Sequence, residues 1–370
     1  MDLVVMSLEP WDDVWRRNQH LIACLLADDP DLRVLFVEPA ADPLHDIVSG
    51  RSPGRGTALT LAEGYEGRLL RFRPVKWFPR RFDAHADERL ARSVLKRVGR
   101  AGMTHPLLWI NDPAAAPLAR LSGWPTLYDI TDDWLAADRP EPELARLRAD
   151  ESWLLDHAAA VVACSPELVR RKIAERPGGV ELITNGVDVD AYRVPRERPA
   201  DLPNSSALYV GTLHRDRLDV GLCVSTAQAL GEAGRLVLVG PNSLEAAETA
   251  RLTDAGVLLL GRRGRDEVIA YLQHADVLTV PHVVTPFTES LDPIKLYEYR
   301  AVRRPVVSTP VAGFRDADDP HIRIAVAADF PRAVLESIQA RSVVPEGAEM
   351  PIPEWNERAA QMRAVIDGIV

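Results

Sequence analysis

The chain has 370 residues, more than a single hydrophobic core usually serves, so two domains are expected. Hydrophobic residues make up 46% and charged residues 26% of the sequence, as in ordinary globular enzymes. The formal net charge of −10 argues against a general nucleic-acid-binding protein.

The sequence predicts a cytoplasmic protein. Its first apolar run, residues 2–6, is too short for the hydrophobic region of a signal peptide and is typical of a strand. No apolar run reaches the about 18–20 residues of a transmembrane helix. Cys24, Cys164 and Cys223 are odd in number and far apart, which indicates reduced thiols. We therefore expect a soluble protein, or one that contacts the inner face of the membrane peripherally.

The first half alternates short apolar runs with helix-length amphipathic stretches, the pattern of a parallel α/β sheet. Predicted strands are Leu3–Met6, Val34–Val37, Leu107–Ile110, Thr126–Ile130, Ala160–Ala163 and Val180–Ile183. Each run is followed by polar or turn-forming residues. Open α/β sheets bind ligands outside the carboxyl ends of their strands, so these residues are expected to line a cleft.

Residues 68–102 are basic within an acidic chain, with eleven Arg and Lys against three Asp and Glu. Phe82, Ala86, Leu90, Val94 and Val98 follow helical spacing and predict a basic amphipathic helix. Such a helix could lie on an anionic membrane or attract an anionic acceptor. An ordinary solvated face is the plainer interpretation.

An acidic cluster follows the predicted strand Thr126–Ile130. Asp129, Asp132 or Asp133 could orient or deprotonate an acceptor hydroxyl, or hold a divalent metal. A capped helix start with acidic neighbours is the alternative.

Residues 187–206 lack apolar periodicity, contain three prolines and predict a linker. The strand pattern then restarts, with predicted strands Ala207–Val210, Leu236–Val239, Val257–Leu260, Val277–Val280 and Val306–Val307. We expect an N-terminal Rossmann-like domain over residues 1–190, a C-terminal one over 205–350, and a final helix over 351–370 that packs back on the first.

The most informative segment is residues 286–311. Asp292 as N-cap and Pro293 in the first helical position predict a helix start. Lys295 and Glu298 then lie three residues apart on one helix face. A cation beside a helix N-terminus suits a pyrophosphate, and a carboxylate one turn later can accept hydrogen bonds from a ribose diol. This pattern predicts a nucleotide-sugar site.

This segment resembles the donor-binding motif of GT-B glycosyltransferases, especially bacterial family 4 members with an S/D-P-x-K-x-x-E-Y pattern. The resemblance implies that Glu298 binds the ribose and Lys295 the diphosphate. It also implies that the backbone amides of Leu291, Asp292 and Ile294 face the phosphates. In the related E-x7-E motif the first glutamate would fall at Ser290, with Glu289 one residue out of register.

A second departure from the family's pattern is Arg303, which occupies the usual position of a glycine. A left-handed helix end there would cost about 1 kcal/mol.

The resemblance extends to other loops. Gly211, Thr212, Arg215 and Arg217 would approach the diphosphate, although the usual arginine after the glycine is Thr212 here. A solvent loop with its arginines paired to neighbouring aspartates is an equal alternative. Gly261 and Arg262 would face the nucleobase through backbone groups.

In the first half of the chain, the resemblance implies that His20 lies near the donor phosphates, although a helical histidine is more often structural. The acidic cluster is similar to the Asp-x-x-Asp-Asp of the same relatives, which gives Asp129 and Asp132 a catalytic role. No metal and no cofactor beyond the nucleotide-sugar donor are implied.

We therefore expect a GT-B glycosyltransferase that moves a sugar from a nucleoside diphosphate to an acceptor hydroxyl. Its likeness to family 4 implies that the anomeric configuration is retained. The acceptor could be a small molecule, a glycan or a lipid-linked compound. A nucleotide-sugar epimerase of the same fold and a non-catalytic GT-B scaffold are the two alternatives.

Overall fold

The computed structural model of the protein describes residues 1–48, 50, 52–78, 80, 83, 85–137, 139–176, 178–340 and 351–369. The chain divides into two compact units. Unit 1 comprises Met1–Leu135, Arg139–Thr184 and Asn356–Val370, and unit 2 comprises Ala136–Asp138 and Asn185–Trp355. The predicted boundary at 350 adjoins residues 341–350, which lie outside the described residues.

Unit 1 is built on a sheet of eight strands among the described residues, in the order β3-β4-β2-β1-β5-β6-β7-β8. All neighbours pair in parallel except β3 and β4. The strands are β1 Asp2–Met6, β2 Arg33–Val37, β3 Thr60–Leu61, β4 Leu69–Phe72, β5 Leu107–Ile110, β6 Thr126–Ile130, β7 Ala160–Ala163 and β8 Glu181–Leu182.

The helices of unit 1 are α1 Arg17–Asp28, α2 Pro43–Val48, α3 Ala86–Arg100, α4 Ala116–Ser122, α5 Glu141–His157 and α6 Pro166–Lys172. The central strand β1 has fully buried side chains at Leu3, Val4 and Val5, as expected for a parallel strand covered on both faces. Sequence patterning did not predict β3 and β4, because β3 has only two residues, both exposed, and β4 lies within the arginine-rich stretch.

Helix α3 lies where the basic amphipathic helix was predicted, but its apolar face is not available for contact with a membrane. Ala91, Val94 and Val98 are buried in the core of unit 1. Phe82, which the prediction placed on the same face, lies outside the described residues. The apolar face of α3 therefore packs into the core of unit 1, and the predicted contact of residues 68–102 with an anionic membrane stays a prediction.

Unit 2 is built on a parallel sheet of six strands among the described residues, in the order β11-β10-β9-β12-β13-β14. The strands are β9 Ser206–Val210, β10 Arg235–Val239, β11 Leu258–Gly261, β12 Val277–Val280, β13 Val306–Ser308 and β14 Ile322–Ile324. The helices of unit 2 are α7 Val189–Arg193, α8 Val220–Leu230, α9 Ala246–Asp254, α10 Arg265–His274, α11 Ile294–Val302 and α12 Phe330–Ala340. The last helix, α13 Trp355–Ile369, belongs to unit 1 from Asn356 onward.

Helix α7 falls inside the stretch that was predicted to be a linker, so that prediction is wrong for these five residues. The Asp188 carboxylate caps the helix by accepting a hydrogen bond from the Ala191 amide at 3.1 Å. Tyr192 is 5% exposed and packs in the core of unit 2. A single helical turn is too short to give a detectable apolar period, which is why the pattern suggested a linker.

Candidate functional site

The sheet order of unit 2 places a topological switch point at β9. From β9 the chain first adds β10 and β11 on one side of the sheet. It then returns to add β12, β13 and β14 on the other side of β9. Ligands of open parallel sheets bind outside the carboxyl ends of the strands at such a point. Gly211 follows β9 directly, and Gly240 follows β10. A Cβ atom on Gly240 would lie 2.1 Å from the Gly211 carbonyl oxygen, so the two glycines bring their backbones into contact.

Lys295 reaches this point from the first turn of α11. A Cβ atom on Gly211 would lie 2.6 Å from Lys295 Nζ and 3.1 Å from the Tyr209 hydroxyl oxygen. The ammonium nitrogen also lies 5.2 Å from the centroid of the Tyr209 ring, within cation–π range. The absence of a side chain at Gly211 therefore provides the space in which Lys295 meets the end of β9.

His282 lies beside the same group, two residues after the end of β12, and sequence reasoning passed over it. Its Nε2 is 3.1 Å from the Tyr209 hydroxyl, and the residue is 5% exposed. Burial, together with the charges of Lys295 and Arg217, lowers the pKa of His282 well below its usual value. The ring is therefore neutral near pH 7, and which partner donates the hydrogen bond to the other depends on the imidazole tautomer. A polar residue just beyond a buried strand was the available signal in the sequence.

Glu298 lies one turn after Lys295, and its Oε1 accepts a hydrogen bond of 2.5 Å from the Tyr192 hydroxyl. Burial raises the pKa of Glu298, and the Tyr192 hydrogen bond and the Lys295 charge oppose that rise. Burial and Glu298 raise the pKa of Tyr192 well above its usual value, so its hydroxyl remains a donor. A carboxylate has about four lone-pair sites, so this one retains capacity for a diol. Sequence analysis missed Tyr192, because its helix is far from Glu298 along the chain.

The start of α11 differs from the prediction. The helix begins at Ile294 with Pro293 as N-cap, and the Asp292 side chain does not cap it. The Asp292 carboxylate instead accepts hydrogen bonds from the Asn185 amide at 2.5 Å and from the Tyr297 hydroxyl at 2.6 Å. The extended backbone of Pro293 moves the helix start one residue along the chain. The predicted phosphate contacts of the Leu291, Asp292 and Ile294 amides stay predictions.

Ser290 is completely buried, and its hydroxyl donates to the Phe287 carbonyl at 2.7 Å. This bond lies within the short 3-10 helix Thr288–Ser290 and its N-cap. The Glu289 carboxylate accepts hydrogen bonds from Arg315 at 2.8 and 3.0 Å. Ser290, which occupies the position of the family's first glutamate, therefore forms its hydrogen bond within its own turn.

The loop after β9 places its two arginines differently. Arg217 lies over the Phe287 ring at 5.4 Å, and its carbonyl accepts from the Val283 amide at 2.8 Å, next to His282. Arg215 is exposed and lies 3.9 Å from Glu245. Of the two, Arg217 is the one that the fold brings beside the Lys295 group. Thr212 directly follows Gly211 and is half-buried.

Gly261 ends β11 with a φ of 71°, and its carbonyl accepts from the Gly240 amide at 2.9 Å. Arg262 lines a surface pocket of about 510 Å3 together with Arg263 and Tyr271. The Asp201 carboxylate bonds both Tyr271, at 2.5 Å, and Arg263, at 2.9 Å, beside this pocket. Gly261 and Arg262 thus lie two strands from Gly211, beyond β10.

Asp129 in unit 1 is fully buried at the end of β6. Its carboxylate accepts from Arg17 at 3.1 Å, from Trp109 at 3.2 Å and from Asn111 at 3.1 Å. The Arg17 guanidinium also donates to the Thr184 carbonyl at 3.1 Å. This arrangement makes Asp129 a buried ion-pair partner, with no exposed oxygen for an acceptor hydroxyl to contact.

Asp132 and His20 are more accessible than Asp129. Asp132 is half-buried and accepts from the Thr131 hydroxyl at 3.3 Å, whereas Asp133 is buried and paired with Arg171 at 2.6 Å. His20 is half-buried on α1, with its ring 5.1 Å from the Trp15 ring. Within the described residues, no group of three or more His, Cys, Asp or Glu side chains could hold a metal ion.

Comparison with known proteins gives matches at the level of family and fold. Residues 204–340, which lie in unit 2, match the family model described as Glycosyl transferases group 1. A protein of Bacillus subtilis (strain 168) named "Putative teichuronic acid biosynthesis glycosyltransferase TuaH" is 23% identical over 242 residues. That match spans 60% of this chain and 60% of the relative.

Solved structures match along nearly the whole chain. The HepE protein of Anabaena, in complex with UDP and glucose, gives a TM-score of 0.68 at 15% identity and covers 100% of both chains. The catalytic domain of starch synthase IV from Arabidopsis thaliana, bound to ADP and acarbose, gives 0.65 at 10% identity, covering 100% of this chain and 99% of that one. The predicted fold, GT-B with two parallel-sheet units, is confirmed by these likenesses.

Proposed function

We propose that the protein is a glycosyltransferase that moves a sugar from a nucleoside diphosphate to an acceptor hydroxyl. One observation carries this proposal. Lys295 Nζ lies against Gly211 at the switch point of the unit 2 sheet, with the Glu298 carboxylate one helical turn further on. A cation and a carboxylate thus lie where this kind of sheet binds nucleotides, which supports assigning them to the diphosphate and the ribose.

The similarity of unit 2 to group 1 glycosyltransferases supports the proposal, as does the likeness to structures bound to UDP or ADP. The sequence motif adds the finer hypothesis of a family 4-like enzyme that retains the anomeric configuration. We also infer a cytoplasmic location, because nucleotide sugars are the substrates. No helix of the described residues is long and apolar enough to cross a membrane.

In the proposed reaction, the bond between the anomeric carbon and the diphosphate oxygen breaks, and a bond from that carbon to the acceptor oxygen forms. The acceptor proton passes to the departing phosphate oxygen on the same face of the sugar. Lys295, the N-terminus of α11 and Arg217 stabilise the negative charge that develops on the leaving group.

Glu298 holds the ribose diol, and Tyr192 holds Glu298. On the acceptor side, we propose Asp132 and His20 as the residues that orient the acceptor, because Asp129 is enclosed by Arg17, Trp109 and Asn111. Asp129 then acts indirectly, by fixing Arg17 at the start of α1.

Binding and turnover test the proposal together. A thermal-shift screen over UDP-, GDP-, ADP- and dTDP-sugars identifies the donor, and calorimetry then measures its affinity. Lys295→Ala and Glu298→Ala should each weaken binding at least tenfold, because each removes a charge-assisted contact of about 1.5–3 kcal/mol. Wild-type affinity in both variants would refute the site. A configuration change of the donor sugar without transfer would identify an epimerase instead.

A further inference from the structure

Helix α2, residues Pro43–Val48, has an apolar face that the described structure leaves largely exposed. None of its six residues is buried. Leu44, Ile47 and Val48 have the i, i+3, i+4 spacing of a single helical stripe and are 39%, 58% and 87% exposed. An isolated helix of this length is unstable in water, and helices normally depend on burial of an apolar face. This helix therefore lacks the contact that would normally stabilise it.

Two exposed aromatic residues, Trp77 and Phe78, follow a segment that is hydrogen-bonded to the chain just before α2. The Lys76 amide donates to the Ala41 carbonyl at 2.8 Å, and the Ala41 amide donates to the Pro74 carbonyl at 2.9 Å. These bonds align the chain before α2 with the chain before Trp77 and Phe78, whose side chains are 65% and 57% exposed. Leu44, Ile47, Val48, Trp77 and Phe78 are named here the apolar surface of unit 1.

The charge around this surface favours a negatively charged partner. Residues 43–82 contain eight Arg and Lys against three Asp and Glu, whereas the whole chain has a net charge of −10. Arg55 is exposed, and Lys76, which pairs with Asp42, directly precedes Trp77. A second copy of this acidic chain would meet overall repulsion, whereas an anionic surface would be attracted to this part of it.

We propose that the apolar surface of unit 1 docks on an anionic lipid bilayer. A short amphipathic helix with an adjacent Trp and Phe and a basic surround matches the interfacial zone of a bilayer, where apolar side chains enter the acyl boundary and cations meet the headgroups. The contact lies on α2 and residues 77–78, because the apolar face of α3 is buried. The inference is independent of the proposed function.

Flotation of the full chain with vesicles tests the proposal. At low salt, wild type should float with vesicles of phosphatidylglycerol and phosphatidylcholine, and much less with phosphatidylcholine alone. The double variants I47S/V48S and W77S/F78S should each reduce binding at least tenfold. The control L121S/L182S, which changes two exposed leucines elsewhere in unit 1, should bind as wild type. Binding should weaken as salt rises, since the headgroup attraction is screened.

Three results would overturn the proposal. The first is absence of wild-type flotation with anionic vesicles at low salt. The second is equal loss of binding in the control and in the two surface variants. The third is a concentration-dependent dimer that the surface variants abolish, which would identify a second copy as the occupant. Thermal unfolding of each variant shows whether it is folded before flotation is compared.

Discussion

The Tyr192–Glu298 hydrogen bond gives the sharpest test of the site, through the variant Tyr192→Phe. The substitution keeps the ring in the core and removes the 2.5 Å hydrogen bond to Glu298. Burial already raises the pKa of Glu298, and Tyr192 opposes that rise, so the pKa should increase further in the variant. At mildly acidic pH more of the carboxyl group is then protonated. The protonated carboxyl group forms neutral hydrogen bonds with the ribose, whereas the ionised carboxylate forms charge-assisted hydrogen bonds.

The expected loss follows from the difference between these two kinds of hydrogen bond. A bond to a charged group contributes about 1.5–3 kcal/mol and a neutral one about 0.5–1.5 kcal/mol. For the protonated carboxyl group, the difference of about 1–1.5 kcal/mol corresponds to roughly five- to twelvefold weaker binding. The deficit should be largest at the acidic end of the pH range and should shrink as pH rises, because a rising pH favours the ionised carboxylate.

Calorimetry with UDP, or with whichever of GDP, ADP and dTDP binds the wild type, measures the dissociation constant from pH 5.5 to 8.5. Tyr128→Phe is the matched control. It removes a buried tyrosine–glutamate hydrogen bond of 3.0 Å, to Glu151 in unit 1. Equal affinities of Tyr192→Phe and wild type at every pH would refute the reasoning. An equal loss in Tyr128→Phe would show that the effect is not specific to Glu298.

Three further predictions concern backbone and buried charge. Gly211→Ala should weaken donor binding in calorimetry, because its Cβ would displace the end of the Lys295 side chain, 2.6 Å away, and Gly211 has a φ of 147°. Gly256→Ala, at a positive φ in open space, should bind normally. Wild-type binding in Gly211→Ala would contradict the close contact. Arg303→Gly should raise the free energy of unfolding in urea by up to about 1 kcal/mol, because Arg303 has a φ of 55°, a left-handed conformation that glycine adopts without strain. A decrease would show that the side-chain contacts of Arg303 outweigh this backbone strain. Arg17→Ala should lower the free energy of unfolding by about 3–5 kcal/mol, because it leaves the buried Asp129 carboxylate without its cation. A decrease in the free energy of unfolding of less than about 1 kcal/mol would contradict the assigned pairing.

The sequence predicted those parts of the site that are close together along the chain. Lys295 and Glu298 share one helix face because their spacing is local. The left-handed conformation of Arg303 was also foreseeable, because the family motif marks the helix end there. The strand ends at Gly211 and Gly261 followed from apolar runs that end at a glycine.

Contacts between distant segments were beyond the sequence. Tyr192 meets Glu298 across 106 residues, and Tyr209 meets His282 across 73, so no local pattern relates them. In the acidic cluster, a distant contact also removed a role that the local sequence had suggested. Asp129 resembles a catalytic carboxylate in sequence, but Arg17, 112 residues away, neutralises it in a buried pair. The burial of a side chain and its ion-pair partner depend on the folded chain, and they cannot be predicted from a local sequence pattern.

The neutrality of His282 limits how much positive charge collects at the end of β9. Burial, together with the charges of Lys295 and Arg217, disfavours a proton on this ring, so the imidazole adds no third cation to this group. A nucleoside diphosphate, the donor class proposed above, would bring negative charge to these cations only in the folded chain, so its binding would be coupled to unfolding. Each tenfold rise in nucleotide concentration above its dissociation constant should then add about 1.4 kcal/mol to stability. The proposed donor would in this sense be an electrostatic component of the folded state as well as a substrate.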